Sequence, residues 1–175
     1  MLNNLLLYRL AILNLAGLAL AGWAWQLGYV EAVYAGDESR ITLVITALFA
    51  VGLASAWVRA RKIARLLNLS KENRALVVRG TKLLEKAAHL DDIVNWLVTL
   101  GLLGTVIGFA MALSGVDSAS LASPAGVQKV AGQLMAGMRI AINTTIVGAV
   151  FGLWLDVNRR MVRTATVSLA EDTRP

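Results

Sequence analysis

The sequence predicts an all-α integral membrane protein with four transmembrane helices, and three observations carry this prediction. Of 175 residues, 57% are hydrophobic and only 16% are charged, whereas a soluble domain carries about 25% charged and roughly 45–50% apolar residues. The mean hydropathy is +0.64. Four long apolar stretches are present, and most of the positive charges lie between or beside them. We therefore expect a single membrane domain that comprises residues 1–175.

The four stretches match the thickness of a bilayer. A hydrocarbon core of about 30 Å needs roughly 20 apolar residues in a helix, and we place the spans at about residues 10–30, 41–58, 93–113 and 138–156. The fourth is short and reaches full length when Arg139 extends its side chain to the interface. Tryptophans favour the headgroup level, and all five lie near span ends: Trp23, Trp25, Trp57, Trp96 and Trp154.

The charges between the spans predict the orientation, because short cytoplasmic loops hold an excess of Lys and Arg. The linker 59–92 carries nine basic residues against four acidic ones and is predicted to be cytoplasmic. The loop 31–40 is acidic on balance, and 114–138 holds one Asp and one Lys, so both are predicted to lie outside. Arg9 before the first span and the arginines after the last place both termini in the cytoplasm. The nine bases are Arg59, Arg61, Lys62, Arg65, Lys71, Arg74, Arg79, Lys82 and Lys86.

Short helices are expected outside the spans. Apolar residues interspersed with charges in 57–90 predict one or two amphipathic cytoplasmic helices. Pro124 is expected to open a short helix along the outer interface, which turns into the fourth span at Arg139. His89 is interpreted as a solvated loop residue, and Asp156 is expected to pair with Arg159 or Arg160.

The N-terminal span has a second interpretation. A basic residue, an apolar run and the triplet Val33-Tyr34-Ala35 are also typical of a signal peptide with a small-residue cleavage site. The apolar stretch is longer than the usual signal core of about 7–15 residues, which favours a retained span. The rest of the topology is the same in both cases.

Composition argues against enzymatic and metal chemistry. The chain has no Cys and one His, so thiolate zinc sites, iron–sulfur clusters, disulfides and thiol nucleophiles are excluded. No acid pair, no nucleophile with an adjacent base and no phosphate loop is evident, so we expect neither an enzyme nor a cofactor. The basic residues are expected to orient the protein and contact anionic lipids, with partner docking as a second possibility and nucleic acid disfavoured.

The third and fourth spans each carry a face of small residues with a threonine in it. Gly101, Thr105 and Gly108 share one stripe at helical spacing, and Thr145 and Gly148 belong to a similar stripe in the fourth span. Such faces let membrane helices pack closely, and they also offer hydroxyls to a lined pathway. Both interpretations stay open from spacing alone. The candidate packing or pore residues are Gly101, Gly104, Gly108, Gly148 and Gly152, and the candidate pathway residues are Thr105, Thr144 and Thr145.

The order of these motifs along the chain is similar to that of a known protein family. The string Gly-Leu-Leu-Gly-Thr-Val-Ile-Gly-Phe at 101–109 is followed by Thr-Thr-Ile-Val-Gly at 144–148 and then by a basic tail. This pattern resembles the MotA/TolQ/ExbB proton-channel family over approximately residues 93–161. On the resemblance, Thr105 and Thr145 correspond to the signature threonines of the last two helices, and Thr144 is the second member of a Thr-Thr pair. It implies a small four-span member of the bacterial inner membrane with a reduced cytoplasmic region.

The absence of acidic residues inside the spans bears on where a titrating carboxylate can come from. The uncharged parts of the four spans, residues 10–30, 41–58, 93–113 and 140–155, contain no Asp or Glu. A threonine hydroxyl does not change its charge near neutral pH. A partner must therefore bring the carboxylate. The resemblance implies a single-span MotB/TolR/ExbD-like partner with an intramembrane Asp, held in a ring of channel subunits that is pentameric in known members. We hypothesise that Thr105 and Thr145 of adjacent subunits line the contact with this Asp.

The predicted function is thus a proton-channel, stator-like subunit that converts proton-motive force into mechanical work on the cell envelope or an extracellular machine. The alternative is a passive scaffold that oligomerises through its glycine-rich faces. A small-molecule transporter is disfavoured, because no span is broken by Pro and no inverted repeat is evident. Arg139 is interpreted as an outer-interface anchor, with a role in an outer gate as the alternative.

Overall fold

The residues that the structure describes form five helices, of which four are long and apolar enough to cross a membrane. The computed structural model describes residues 2–69, 89–114, 116 and 122–171. The helices are α1 (Leu2–Gln26), α2 (Tyr29–Ala35), α3 (Ile41–Leu69), α4 (His89–Leu113) and α5 (Pro124–Glu171). The candidate spans within them are Leu6–Gln26, Ile41–Arg65, Leu90–Leu113 and Pro124–Ala165. The described residues contain no strand, so the all-α class with four spans is confirmed.

Successive long helices run in opposite directions and meet at two ends. At one end, which we call the terminal end, the first turns of α1 pack against the last turns of α3 and α5. Leu10, Ala60, Ile63 and Val162 form the buried cluster there. The opposite end contains α2 and is called the α2 end. The start of α1 and the close of α5 therefore lie on the same side, as the sequence predicts.

The first span ends earlier than predicted. The apolar pattern placed it at residues 10–30, but α1 ends at Gln26 and the short helix α2 begins at Tyr29. Gly28 separates them with φ of 76°, a left-handed conformation that ends a helix and that glycine adopts without steric cost. The predicted span therefore combines one long helix with the first residues of another.

The expected turn at Arg139 is absent. Residues 124–171 form one helix of 48 residues, about 72 Å long at a rise of 1.5 Å per residue and longer than a bilayer requires. No proline follows Pro124 inside it, and Gly137 keeps it against Ala112 of α4 beyond Arg139. The separate outer-interface helix predicted from the sequence is thus the first part of α5.

The segment between the second and third spans is helical at both of its described ends. α3 continues through Leu69, and α4 begins at His89, so His89 starts a helix and is not a loop residue as predicted. Asp91 and Asp92 occupy the first turn of α4, where negative charge is favourable. The amphipathic helices expected within 70–88 lie outside the described residues, as does the outer-loop stretch 117–121.

The main core lies where α3 packs against the pair formed by α4 and α5. Ile45, Leu97 and Leu155 are fully buried in it. Phe49 of α3 stacks on Phe151 of α5 with ring centroids 4.4 Å apart. This core supports the buried side of α5 and leaves the other side of the α4–α5 pair exposed.

A buried amide network attaches α1 to α5. Asn14 donates to the Oδ1 atom of Asn158 at 2.7 Å, and the indole nitrogen of Trp154 donates to Oδ1 of Asn14 at 3.0 Å. Asn14 is 5% exposed and Asn158 is fully buried. Polar groups in an apolar environment are stabilised only when they are hydrogen-bonded. The network therefore fixes the position of α1 along the axis of α5.

The α2 end is fixed by three contacts. The hydroxyl groups of Tyr34 and Thr46 are hydrogen-bonded to each other at 2.6 Å. Asn143 of α5 donates a hydrogen bond to the carbonyl of Val33 at 3.2 Å. Asp37 accepts a bond from the Thr42 amide at 2.6 Å and thereby caps the start of α3. Burial raises the pKa of Asp37, but hydrogen bonds from Ser39 and Thr42 outweigh this effect and leave the pKa below its ordinary value.

Replacing Asp37 by Ala is expected to speed amide hydrogen exchange at the start of α3 by about fivefold, the equivalent of the ~1 kcal/mol that an N-cap contributes. Hydrogen exchange with mass spectrometry on peptides covering 37–46 measures this. Because the pKa of the folded state is lowered, the cap is present above the ordinary Asp pKa and is lost as pH falls through the lowered value. Glu38→Ala, at an exposed neighbouring residue, is the control and should leave exchange unchanged.

Candidate functional site

The helices α4 and α5 pack backbone against backbone through glycines. A Cβ atom at Gly108 would lie 2.6 Å from the carbonyl oxygen of Gly137, and one at Gly148 would lie 2.8 Å from that of Leu97. A Cβ atom at Gly101 would lie 3.3 Å from the Cα of Gly148. Backbone atoms cannot move aside as a flexible side chain can, so Gly108 and Gly148 admit only glycine at this spacing, and a Cβ atom at Gly101 would make a tight contact. The predicted glycine faces thus contact each other inside one chain.

The remaining two glycines of the predicted face contact side chains. Gly104 lies against the side chain of Thr144, and a Cβ atom at Gly152 would lie 2.9 Å from Cγ2 of Val98. All five candidate glycines are therefore at the α4–α5 contact. Since this surface is used within the chain, it is not free to hold a second copy.

Thr105 and Thr145 meet across this contact. Their hydroxyl oxygens are hydrogen-bonded to each other. The Thr105 hydroxyl also reaches the carbonyl of Gly101 at 3.1 Å, and that of Thr145 reaches the carbonyl of Ala141 at 2.9 Å. A hydroxyl has one hydrogen and two acceptor lone pairs. Each can therefore donate either to its own helix or to its partner, and the direction of the bond between them can reverse.

The pair lies in an apolar groove on the exposed side of the α4–α5 pair. The groove has a volume of about 290 Å³. Its apolar walls include Phe109, Ile142 and Ile146, of which about half the surface is exposed. Apart from the two threonines its lining side chains are apolar: Phe109, Met138, Ala141, Ile142 and Ile146. The structure thus presents two linked hydroxyls in an otherwise apolar recess.

The structure separates Thr144 from the threonine pair. Its side chain is fully buried, and its hydroxyl donates to the Ile140 carbonyl at 2.9 Å. It packs against Gly104 and lies outside the groove lining. Thr105 and Thr145 meet within a single chain, and the hypothesis that these threonines of adjacent subunits line the contact with a partner stays a prediction.

Arg139 lies at the α2 end, away from the groove lining. Its side chain is exposed, and its Cδ atom lies beside Gly36 just after α2, next to the amide of Asn143. It forms no salt bridge with any residue that the structure describes.

Charged side chains join α4 and α5 at the terminal end. Arg159 contacts Asp91 of α4 at 2.5 Å and Asp156 of its own helix at 2.5 Å. Arg160 reaches Asp156 at 2.8 Å. The predicted pairing of Asp156 is confirmed with both arginines. The pairing of Arg159 with Asp91 was not predicted, because residues 68 positions apart share no local pattern.

Sequence reasoning also missed the amides that position α5. Asn14 is a polar residue within the first span, and neither it nor Asn158 nor Asn143 was predicted as a contact residue. Polar side chains within apolar helices were the available signal. Among the described residues, no group of acids or His is arranged to hold a metal ion.

Comparison with known proteins then assigns the family. The model of the MotA/TolQ/ExbB proton channel family matches residues 59–169, which is more than half of the chain and includes the threonine pair with all five glycines. The chain belongs to the MotA/TolQ/ExbB proton channel family. The family match begins in α3, earlier than the 93–161 segment in which the motifs lie. No curated protein and no solved structure matched the chain.

Membership of the MotA/TolQ/ExbB family indicates a multi-pass membrane protein with a proton-channel function in energy transduction. The family is of the transport type and is not a known enzyme family. Its members work with single-span partner proteins.

Proposed function

We propose that this chain is the channel subunit of a proton-driven, stator-like complex in the bacterial inner membrane. Together with a single-span MotB/TolR/ExbD-like partner, it converts proton-motive force into mechanical work on the cell envelope or an extracellular machine. Its subunits form a ring, a pentamer by resemblance to known members. Thr105 and Thr145 of each subunit supply the hydroxyls that meet the partner's intramembrane Asp.

The observation that carries this proposal is the hydrogen-bonded threonine pair in the groove. A proton that enters an apolar environment needs a chain of polar groups, since an isolated charge there is costly. The pair can accept and donate at once and can reverse its direction, but it cannot hold the proton as a charged state near neutral pH. Among the described residues, the groove lining contains no carboxylate, and we assign the titrating group to the partner.

The groove also suits a helix as its occupant. Its walls are apolar side chains exposed on a membrane-spanning surface, which pack as readily against a helix as against lipid. A partner Asp facing Thr105 and Thr145 finds hydrogen-bond partners there. When this Asp is protonated, its helix can leave the hydroxyls at lower cost and move relative to the ring.

The orientation follows from the terminal end. Arg9, Arg61 and Arg163 are exposed there and belong to three different helices. An excess of bases marks the cytoplasmic side, so we place both termini in the cytoplasm and the α2 end, with Arg139, at the outer interface. At this level the bases contact anionic lipid headgroups.

The passive scaffold remains the competing function. It requires the glycine faces to hold separate copies together, whereas the glycines of α4 and α5 contact each other within one chain. A scaffold also has no use for a hydroxyl pair that is open to a groove. The two functions make different predictions about what occupies the groove.

Photo-cross-linking from the groove in native membranes tests the proposal. A benzoylphenylalanine at Ile142, in the groove wall, is expected to capture a single-span protein at a peptide that contains an intramembrane Asp. The same probe at Leu18, 63% exposed on α1, is the matched control and should not capture that peptide. Capture only of lipid, or of a second copy of this chain, from Ile142 contradicts the proposed docking of the partner.

A further inference from the structure

The contact between α4 and α5 has a polar side-chain contact at each of two levels, with a stretch of closely packed glycines between them. Thr105 bonds Thr145 at one level, and Asp91 bonds Arg159 at the other. Asp91 lies fourteen residues before Thr105 on α4, and Arg159 lies fourteen residues after Thr145 on α5. Fourteen residues of helix are about four turns, or 21 Å. One antiparallel alignment of α4 and α5 therefore satisfies both contacts.

Glycine contacts alone specify this register weakly. Between the two contacts, Gly101 and Gly148 place backbone against backbone, and the side chains that pack on a glycine there are Thr144 on Gly104 and Val98 on Gly152. Knobs and holes normally fix how far one helix slides along another, and a glycine surface has few of them. A slide of one turn, about 5.4 Å, would carry Thr145 out of reach of Thr105.

We propose that Asp91 and Arg159 are positioning residues that set the axial register of α4 and α5 and so hold Thr105 opposite Thr145. Among the described residues, this is the one ion pair that joins two helices. It lies at the terminal end, beyond the glycines of the contact. The functional consequence of the register depends on the proposed role of the threonines, but the register itself does not.

Neighbouring charges keep Arg159 in place. Asp156, three residues earlier on α5, binds Nη2 of Arg159 while Asp91 binds Nη1. The guanidinium is thus held in a fork between two carboxylates, which favours one orientation. Arg59 of α3 also attracts the Asp91 carboxylate. Substitution at Arg159 therefore leaves the attraction between Arg59 and Asp91 in place, and substitution at Arg160 controls for the loss of a partner of Asp156.

Disulfide trapping reports the register without any partner, because the chain has no cysteine of its own. Thr105→Cys with Thr145→Cys reports the native register, since the two hydroxyls it replaces are already in contact. Thr105→Cys with Ala149→Cys reports a slide of about one turn. In otherwise unchanged protein in lipid vesicles, the first pair is expected to cross-link much faster than the second.

Adding Arg159→Gln is expected to lower the ratio of native to shifted cross-linking about fivefold, the scale of a partly exposed ion pair. Arg159→Lys keeps the charge and should stay within about twofold of the unchanged ratio. Arg160→Gln is the matched control, because Arg160 pairs only within α5, and it should leave the ratio unchanged. An unchanged ratio in Arg159→Gln, or an equal fall in Arg160→Gln, overturns the proposal.

The result is separable from the proposed function. If trapping shows the expected shift while proton flux through the complex is insensitive to both threonines, the register assignment stands and the pathway fails. If flux depends on the threonines while trapping in Arg159→Gln is unchanged, the pathway stands and the positioning role of Asp91 and Arg159 fails.

Discussion

Gly108→Ala is expected to force α4 away from α5 and to cost more than about 2 kcal/mol in the stability of the membrane domain. The added Cβ atom would lie 2.6 Å from two backbone atoms, the Gly137 oxygen and the Ala141 nitrogen. Neither can yield without displacing the whole helix. The loss should appear as a lower apparent melting temperature and as less monodisperse protein in detergent.

Two other glycines provide matched controls. A Cβ atom added at Gly132 of α5 or at Gly22 of α1 would have no neighbouring atom within 4 Å, and alanine favours a helix by up to about 1 kcal/mol over glycine. Gly132→Ala and Gly22→Ala should therefore be neutral or slightly stabilising. A Gly108→Ala protein as stable as these two contradicts the close backbone contact of α4 and α5.

Replacing both Thr105 and Thr145 by Val is expected to lower proton flux at least tenfold in vesicles that contain the channel with its partner. Valine keeps the shape and removes the hydroxyl, so the complex should still assemble. The lost hydrogen bonds to a charged group are worth about 1.5–3 kcal/mol each, and about 1.4 kcal/mol is tenfold in rate. Quenching of a pH-sensitive dye inside the vesicles measures the flux.

Thr99→Val is the control for this substitution. Thr99 is an exposed threonine of the same helix, and its hydroxyl donates to the Asn95 carbonyl at 2.8 Å. It lies outside the groove lining. Flux should be unchanged in this variant, and a loss equal to that of the double variant would show that any threonine-to-valine change in α4 is disruptive.

The spans and the threonine pair could be predicted because their signals are local. A charge-free stretch of about 20 residues has few structures open to it besides a membrane helix. Thr105 shares one face of its helix with Gly101 and Gly108, and Thr145 shares one face of its helix with Gly148. The helical spacing of these residues therefore indicates both faces. The family resemblance then placed the two faces in one site, and the structure adds that they meet inside one chain.

The remaining features depend on contacts or backbone angles that spacing does not encode. Gly28 is one of fifteen glycines, and nothing in its neighbours indicates the positive φ that ends α1. Arg139 looked like the end of a span because it is charged, but the contact of Gly137 with Ala112 continues α5 past it. The bond between Asn14 and Asn158 and the pair of Asp91 with Arg159 join residues that are distant in sequence, so no local pattern predicts them.

The central claim is that hydroxyls at two positions of one groove carry the proton to and from a partner's carboxylate. It is tested most directly by comparing Thr105→Ser/Thr145→Ser with Thr105→Val/Thr145→Val in the assembled complex. The serine variant keeps both hydroxyls and loses two methyl groups, and it should retain more than about half of the original flux, while the valine variant falls at least tenfold. Equal flux in the two variants would contradict the assignment of Thr105 and Thr145 to the proton path.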